Sequence, residues 1–139
     1  MDIDGRNIQG SVGIVLSGLG TSNSEITDSS IHNVEFGIRA LETNARVRGT
    51  EFSSIEEDAL FVVEPTSRKG AGATAVPDMG DVALGATEDS GGNTFLSGID
   101  GSYIKNQNPM QAVQAEGNNF GTDDLEAIEA KLSGDVDVQ

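Results

Sequence analysis

"EITDSSIHNVEFGIRALETNA", residues 25–45, laid over "RVRGTEFSSIEEDALFVVEPT", residues 46–66, decides the fold. Ile26 falls on Val47, Ile31 on Phe52 and Val34 on Ile55, each at an offset of 21. Between these apolar positions stand Thr-Asp-Ser-Ser, His-Asn and Glu-Thr-Asn, all turn chemistry. A helical repeat needs long stretches with apolar residues three and four apart, and these segments are too short and too rich in Ser, Thr, Asn and Gly. Short strands, each ending at a corner, fit instead. A period in the low twenties with several short strands is the signature of a parallel β-helix, in which each period is one coil.

Working outward, Ile3 is matched to Ile26 and Ile8 to Ile31 at an offset of 23, and Gly13-Ile14 to Gly37-Ile38 at an offset of 24. The expected inward columns are Ile3, Ile26, Val47 and Ile8, Ile31, Phe52. The expected outward columns are Asp2, Glu25, Arg46 and Asp4, Thr27, Arg48. Within them Glu25 beside Arg46 is favourable, by about 0.2–1 kcal/mol, and Asp2 beside Glu25 is not. The preference for right-handed parallel crossovers predicts a right-handed coil.

After Phe61-Val62-Val63 the pattern breaks. Residues 64–80, "EPTSRKGAGATAVPDMG", read as a surface loop leaving one corner. "DVALGA" at 81–86 and "GSYIKN" at 101–106 return to strand. "MQAVQAEGNNF" at 110–120 turns Val113 and Ala115 inward and Gln111, Gln114 and Glu116 outward. "GGNTF" and "GNNF" echo each other, with Asn93 to Asn118 and Phe95 to Phe120 both 25 apart. In "GTDDLEAIEAKLSG", residues 121–134, Asp123 with Glu126 can start a helix and Gly134 can end it. Leu125, Ile128 and Leu132 form its apolar stripe. The reading is all-β: a right-handed parallel β-helix solenoid of about five coils with a short C-terminal capping α-helix. Residues 1–63 form regular coils, 64–80 the loop, 81–121 looser coils and 122–134 the cap, all in one domain spanning 1–139. Residues 1–10 begin directly in a coil, so upstream coils of the same chain are expected as neighbours.

"GGNTFLSG" and "AVQAEGNNFGTDDLEAIEAKL" together resemble the carboxy-terminal end of pectin-lyase-like β-helix proteins. More narrowly they resemble microbial surface proteins containing the domain of unknown function 1565. Phe120 stands where that group usually has Trp. The resemblance implies the architecture and an extracellular or cell-surface setting, but no reaction, because many proteins on this scaffold have none.

Composition narrows the function classes. The chain has 139 residues, 23 acidic and 8 basic, for a net charge of -15. That field disfavours nucleic acid and anionic membranes, and no apolar run is long enough to enter a bilayer. There is no Cys, so thiolate chemistry is excluded. "MDIDGRNIQG" lacks the pattern of a signal peptide. Of the segments that mark polygalacturonase-like enzymes, only an Asp-Asp occurs, at 123–124; Asn-Thr-Asp, His-Gly and Arg-Ile-Lys are absent. His32 is the only His and reads as a surface or turn residue. "GLGTSN" and "GAGATA" lack the lysine and helix context of a phosphate loop. The acidic doublets match no calcium-binding repeat, so no cofactor is expected beyond weak Ca²⁺ association.

Arg39, Arg46 and Arg48 are the densest positive feature and the candidate ligand-binding residues, for an acidic sugar or carboxylate. Pairing with Glu25 and neighbouring acids is the competing role. The expected function is a non-catalytic scaffold or carbohydrate-facing segment, with polysaccharide as partner. The alternative is the end of a polysaccharide lyase or glycoside hydrolase whose catalytic coils lie upstream.

Overall fold

Three faces organise the chain, and successive turns add short strands to them. In a computed structural model of the protein, residues 1–18, 24–82 and 89–139 are described. The first sheet stacks β1 (Asp2–Asp4), β4 (Ser30–Val34), β7 (Glu51–Ile55) and β9 (Thr94–Phe95) in that order. The second stacks β2 (Val12–Ser17), β5 (Phe36–Leu41), β8 (Leu60–Val62), β10 (Ile104–Asn106) and β12 (Leu132–Ser133). The third face pairs β3 (Glu25–Thr27) with β6 (Arg46–Arg48), and β11 (Val113–Gln114) with β13 (Val136–Asp137). Each pair is parallel. The result is a parallel β-helix, a solenoid of about five turns. Between the strands of the fifth turn lies one helix, α1 (Leu125–Glu129).

The 21-residue register holds at all three positions: Ile26 opposes Val47, Ile31 opposes Phe52, and Val34 opposes Ile55. The first turn departs from expectation. Ile3 opposes Ile31, not Ile26, while Ile14 opposes Ile38 as expected. The offset therefore falls from 28 to 24 within one turn. The segment 5–11 carries the four extra residues. It bulges, with Arg6 and Asn7 at φ 54° and 56°, and Ile8 projects from it 64% exposed. Ile8 is thus no core residue, and Asp2 and Asp4 sit beside Ser30 and His32 rather than Glu25 and Thr27.

Alternation along each strand turns aliphatic side chains inward, and they stack turn upon turn. Ile38, Leu60 and Ile104 are fully buried in the second sheet, and Ile31 and Phe52 in the first. Phe52, Phe95 and Phe120 continue as a ring stack, with centroids 5.2 and 4.9 Å apart. That repeat is close to the ~4.8 Å strand spacing that parallel register imposes.

The segment 64–80 is not surface loop throughout. Ala73, Ala75, Val76 and Met79 are buried, and Asp78 rejoins the third face in parallel register with Arg46. The Val47 N–H donates to Asp78 O at 2.8 Å, and the Met79 N–H to Gln114 O at 2.8 Å. Residues 78–79 thus supply the rung between β6 and β11. Glu116 is buried rather than outward, and its carboxylate accepts the Val82 N–H at 2.7 Å. The strand expected at 81–86 and the glycine-rich stretch at 18–23 fall largely outside the described residues.

The helix begins one residue later than expected. Asp124, not Asp123, caps it, with Oδ1 accepting from the N–H groups of Glu126 and Ala127. Ile128 packs into the core while Leu125 is 40% exposed. Leu132 belongs to β12, which pairs with β10, and Gly134 turns the chain at φ 83° between β12 and β13. The chain therefore does not stop at the helix: its last residues add two further rungs.

Candidate functional site

Arg46 and Arg48 lie two apart on β6, so both guanidinium groups leave the same face. They meet acids from neighbouring turns. Arg46 lies 3.6 Å from Glu25 and hydrogen-bonds Asp89. Arg48 donates to Asp78 O at 2.7 Å, Asp78 Oδ2 at 2.8 Å and Asp89 Oδ1 at 2.8 Å. Burial alone would pull the Arg48 pKa down, but the hydrogen bonds to Asp78 and Asp89 outweigh it and hold the group above its ordinary value. The Arg48 hydrogen bond in turn holds the Asp89 carboxyl below the usual range, against a smaller effect of desolvation. These two arginines are engaged in a network that ties Asp78 and Asp89 to the third face. The pairing of Arg46 with Glu25 is the one their shared column predicts.

Arg39 is elsewhere. It sits on β5, on the outer face of the five-stranded sheet, and the register there runs Val15, Arg39, Phe61, Lys105, Ser133 from β2 to β12. The inward neighbours in the same strands are Ile14, Ile38, Leu60, Ile104 and Leu132. Anchored by that column, the outer row is held in line along the solenoid axis. Phe61 stacks on Phe36 with centroids 5.5 Å apart. The Arg39 Cζ lies 5.8 Å from the Phe61 centroid and the Lys105 Nζ 5.6 Å from it. One cation comes from the rung before the ring and the other from the rung after. Each such contact contributes about 0.5–1 kcal/mol at an exposed site. Among the described residues neither Arg39 nor Lys105 forms an ion pair, and the row itself contains no carboxylate. Beside Arg39 a shallow groove of about 210 Å³ is lined by Val15, Leu16, Ser17, Arg39, Leu41 and Val63.

The structure therefore separates the three arginines and adds Phe61 and Lys105 to Arg39. Phe61 follows Arg39 by 22 residues, so the repeat carried a signal for it. Lys105 lies beyond the long segment 64–80, where the period is lost. Chemically, the row offers two hydrogen-bond-donating cations, an aromatic ring and an apolar groove.

His32 stands on β4, its Nε2 2.9 Å from Asp2 Oδ1. Asn33 donates to Asp4 Oδ1 at 3.0 Å. That bond, followed by the Arg6 N–H, holds the Asp4 carboxyl below its ordinary value. These groups satisfy one another across the first two turns. Among the described residues no cluster of three or more His, Asp or Glu side chains is arranged to hold a metal ion, and no helix is long and apolar enough to cross a membrane.

No protein-family model, curated protein or solved structure matches this chain.

Proposed function

We propose that this chain is a non-catalytic β-helix scaffold whose five-stranded sheet presents a carbohydrate-binding face, in a secreted or cell-surface protein. The observation that carries the reading is the outer row: Phe61 flanked by Arg39 and Lys105, neither of them in an ion pair among the described residues. The half-buried Phe61 ring offers its exposed part to the apolar C–H groups of a sugar, and the cations donate to hydroxyl and carboxylate oxygens. A straight row on a flat sheet suits an extended polymer better than a compact ligand, because each rung repeats the same geometry. The surface setting rests on the resemblance to microbial surface proteins. The network around Arg46 and Arg48 supports a structural role for the third face.

The test is a glycan array with soluble protein, run beside an assay for unsaturated uronate product. Binding without product, weakened about tenfold in an Arg39→Gln, Lys105→Gln double variant by loss of charge-assisted hydrogen bonds, is the expected result. Product formation overturns the non-catalytic reading. Binding that survives the double variant unchanged moves the site off this face.

A further inference from the structure

The spacing of the outer row goes beyond its being a carbohydrate face. Resting on that reading, we infer that the face selects polysaccharides in which acidic and uncharged sugars alternate. Arg39, Phe61 and Lys105 occupy three consecutive rungs. At ~4.8 Å between strands, the two cations are anchored about 10 Å apart with the ring midway. A pyranose in an extended chain advances by about one rung. A glycan lying along the row therefore meets cation, ring, cation on successive residues. Carboxylates on the first and third sugars reach Arg39 and Lys105. The middle sugar lies against the exposed part of Phe61.

A polymer with a carboxylate on every sugar fits less well, for two reasons. Its middle carboxylate would face the Phe61 ring with no donor opposite, and stripping water from an unpaired charge is costly. The whole chain also carries a net charge of -15. Screening at physiological salt has a length of about 8 Å, so the local cations govern the contact at their own rungs while each surplus ligand charge adds repulsion. Halving the ligand's charge density relieves both penalties. A neutral glycan keeps the ring contact but leaves both cations without their stronger partners.

The experiment uses three soluble polymers and the full chain. Hyaluronan alternates uronate with N-acetylhexosamine, polygalacturonate carries a carboxylate on every residue, and dextran is neutral. Affinity is measured by calorimetry at fixed ionic strength. The wild-type protein should bind hyaluronan about fivefold or more tighter than polygalacturonate and tighter still than dextran, in line with charge-assisted bonding at two rungs only. A Phe61→Arg variant, checked for its strand content by circular dichroism, places a third cation at the middle rung and should reverse the preference between the two polyanions. Equal or tighter wild-type binding of polygalacturonate overturns the alternation while leaving the glycan-binding face standing. An unchanged ratio in a folded Phe61→Arg variant also overturns it. Failure of all three polymers to bind overturns both the inference and the reading beneath it.

Discussion

Asn93 lies directly beneath Asn118, and its side-chain amide donates to the Asn118 Oδ1 at 2.9 Å. The same amide donates to Val47 O and Met79 O, at 3.0 and 3.1 Å, while the Asn93 Oδ1 accepts the Thr50 N–H at 2.9 Å. Asn93 is fully buried, so four partners across neighbouring turns depend on one side chain. Replacing it with Ala leaves the Thr50 N–H without its acceptor, whereas Val47 O and Met79 O keep the donors of Arg48 and Asn118. Asn93→Ala should cost about 1–3 kcal/mol, the cost of one orphaned buried group. Urea denaturation measures it. A loss no larger than that of an exposed control such as Asn119→Ala would show that water replaces the amide.

The ring stack makes a second expectation. Phe95 is sandwiched between Phe52 and Phe120 and is only 2% exposed. Phe95→Ala should destabilise by about 3–5 kcal/mol through lost burial and a cavity. Phe120→Ala, at the end of the stack, should cost less. The denaturant midpoints of the two variants give the comparison, and equal midpoints contradict the sandwich.

The third expectation concerns acid. Asp89, hydrogen-bonded by Arg48, has a folded pKa below its ordinary 3.8. Glu42, which accepts the Ser67 N–H and the Thr66 hydroxyl, lies below its ordinary 4.5. A depressed carboxylate contributes stability that is complete above the unfolded value and is lost as pH falls through the folded one. Stability should therefore decline below about pH 4.5, and more steeply below 3.8, with little dependence on these two groups at neutral pH. Asp89→Asn should be less stable at pH 7 and show a shallower decline between about pH 4 and 2. Parallel denaturation curves for the two proteins across that range would remove Asp89 from the account.

Much of this architecture was legible beforehand, and the exceptions have physical causes. Ile26, Ile31 and Val34 align with Val47, Phe52 and Ile55 because the corner between β3 and β4 has the same length as that between β6 and β7. Ile3 was misaligned because the bulge at 5–11 lengthens one corner alone. Met79 was hidden because a long excursion precedes it and removes the period. Glu116 was placed outward by alternation, but alternation ends where the backbone turns at Gly117, at φ 69°. Of the candidate site, the sequence singled out Arg39. It could not say that Arg46 and Arg48 are bound to Asp78 and Asp89, because both acids lie beyond residue 63, where the period is lost.

The carboxy-terminal segment offers a fourth expectation. β12 and β13 hydrogen-bond to β10 and β11, and Ile128 of α1 packs into the core. Removing residues 122–139 would bare two strand edges and part of the Phe120 end of the stack. Exposed edges template further pairing, so the shortened protein should aggregate and lose stability. Sedimentation and thermal unfolding check this. A monomeric, equally stable product would show that these residues are no cap.

The bulge at 5–11 has a wider meaning. The path from Ile3 to Ile14 is four residues longer than that from Ile31 to Ile38, yet both ends land in register. Alignment is enforced by each strand on the strand beside it, and the stretch between can lengthen without being transmitted onward. A solenoid of this kind is tolerant of insertions at its corners and intolerant of a single added residue inside β5, where every side chain would exchange inside for outside. Lineages diverging from such a chain would vary in length at a few fixed addresses, and new surface features could be grafted there while the stack beneath stays unchanged.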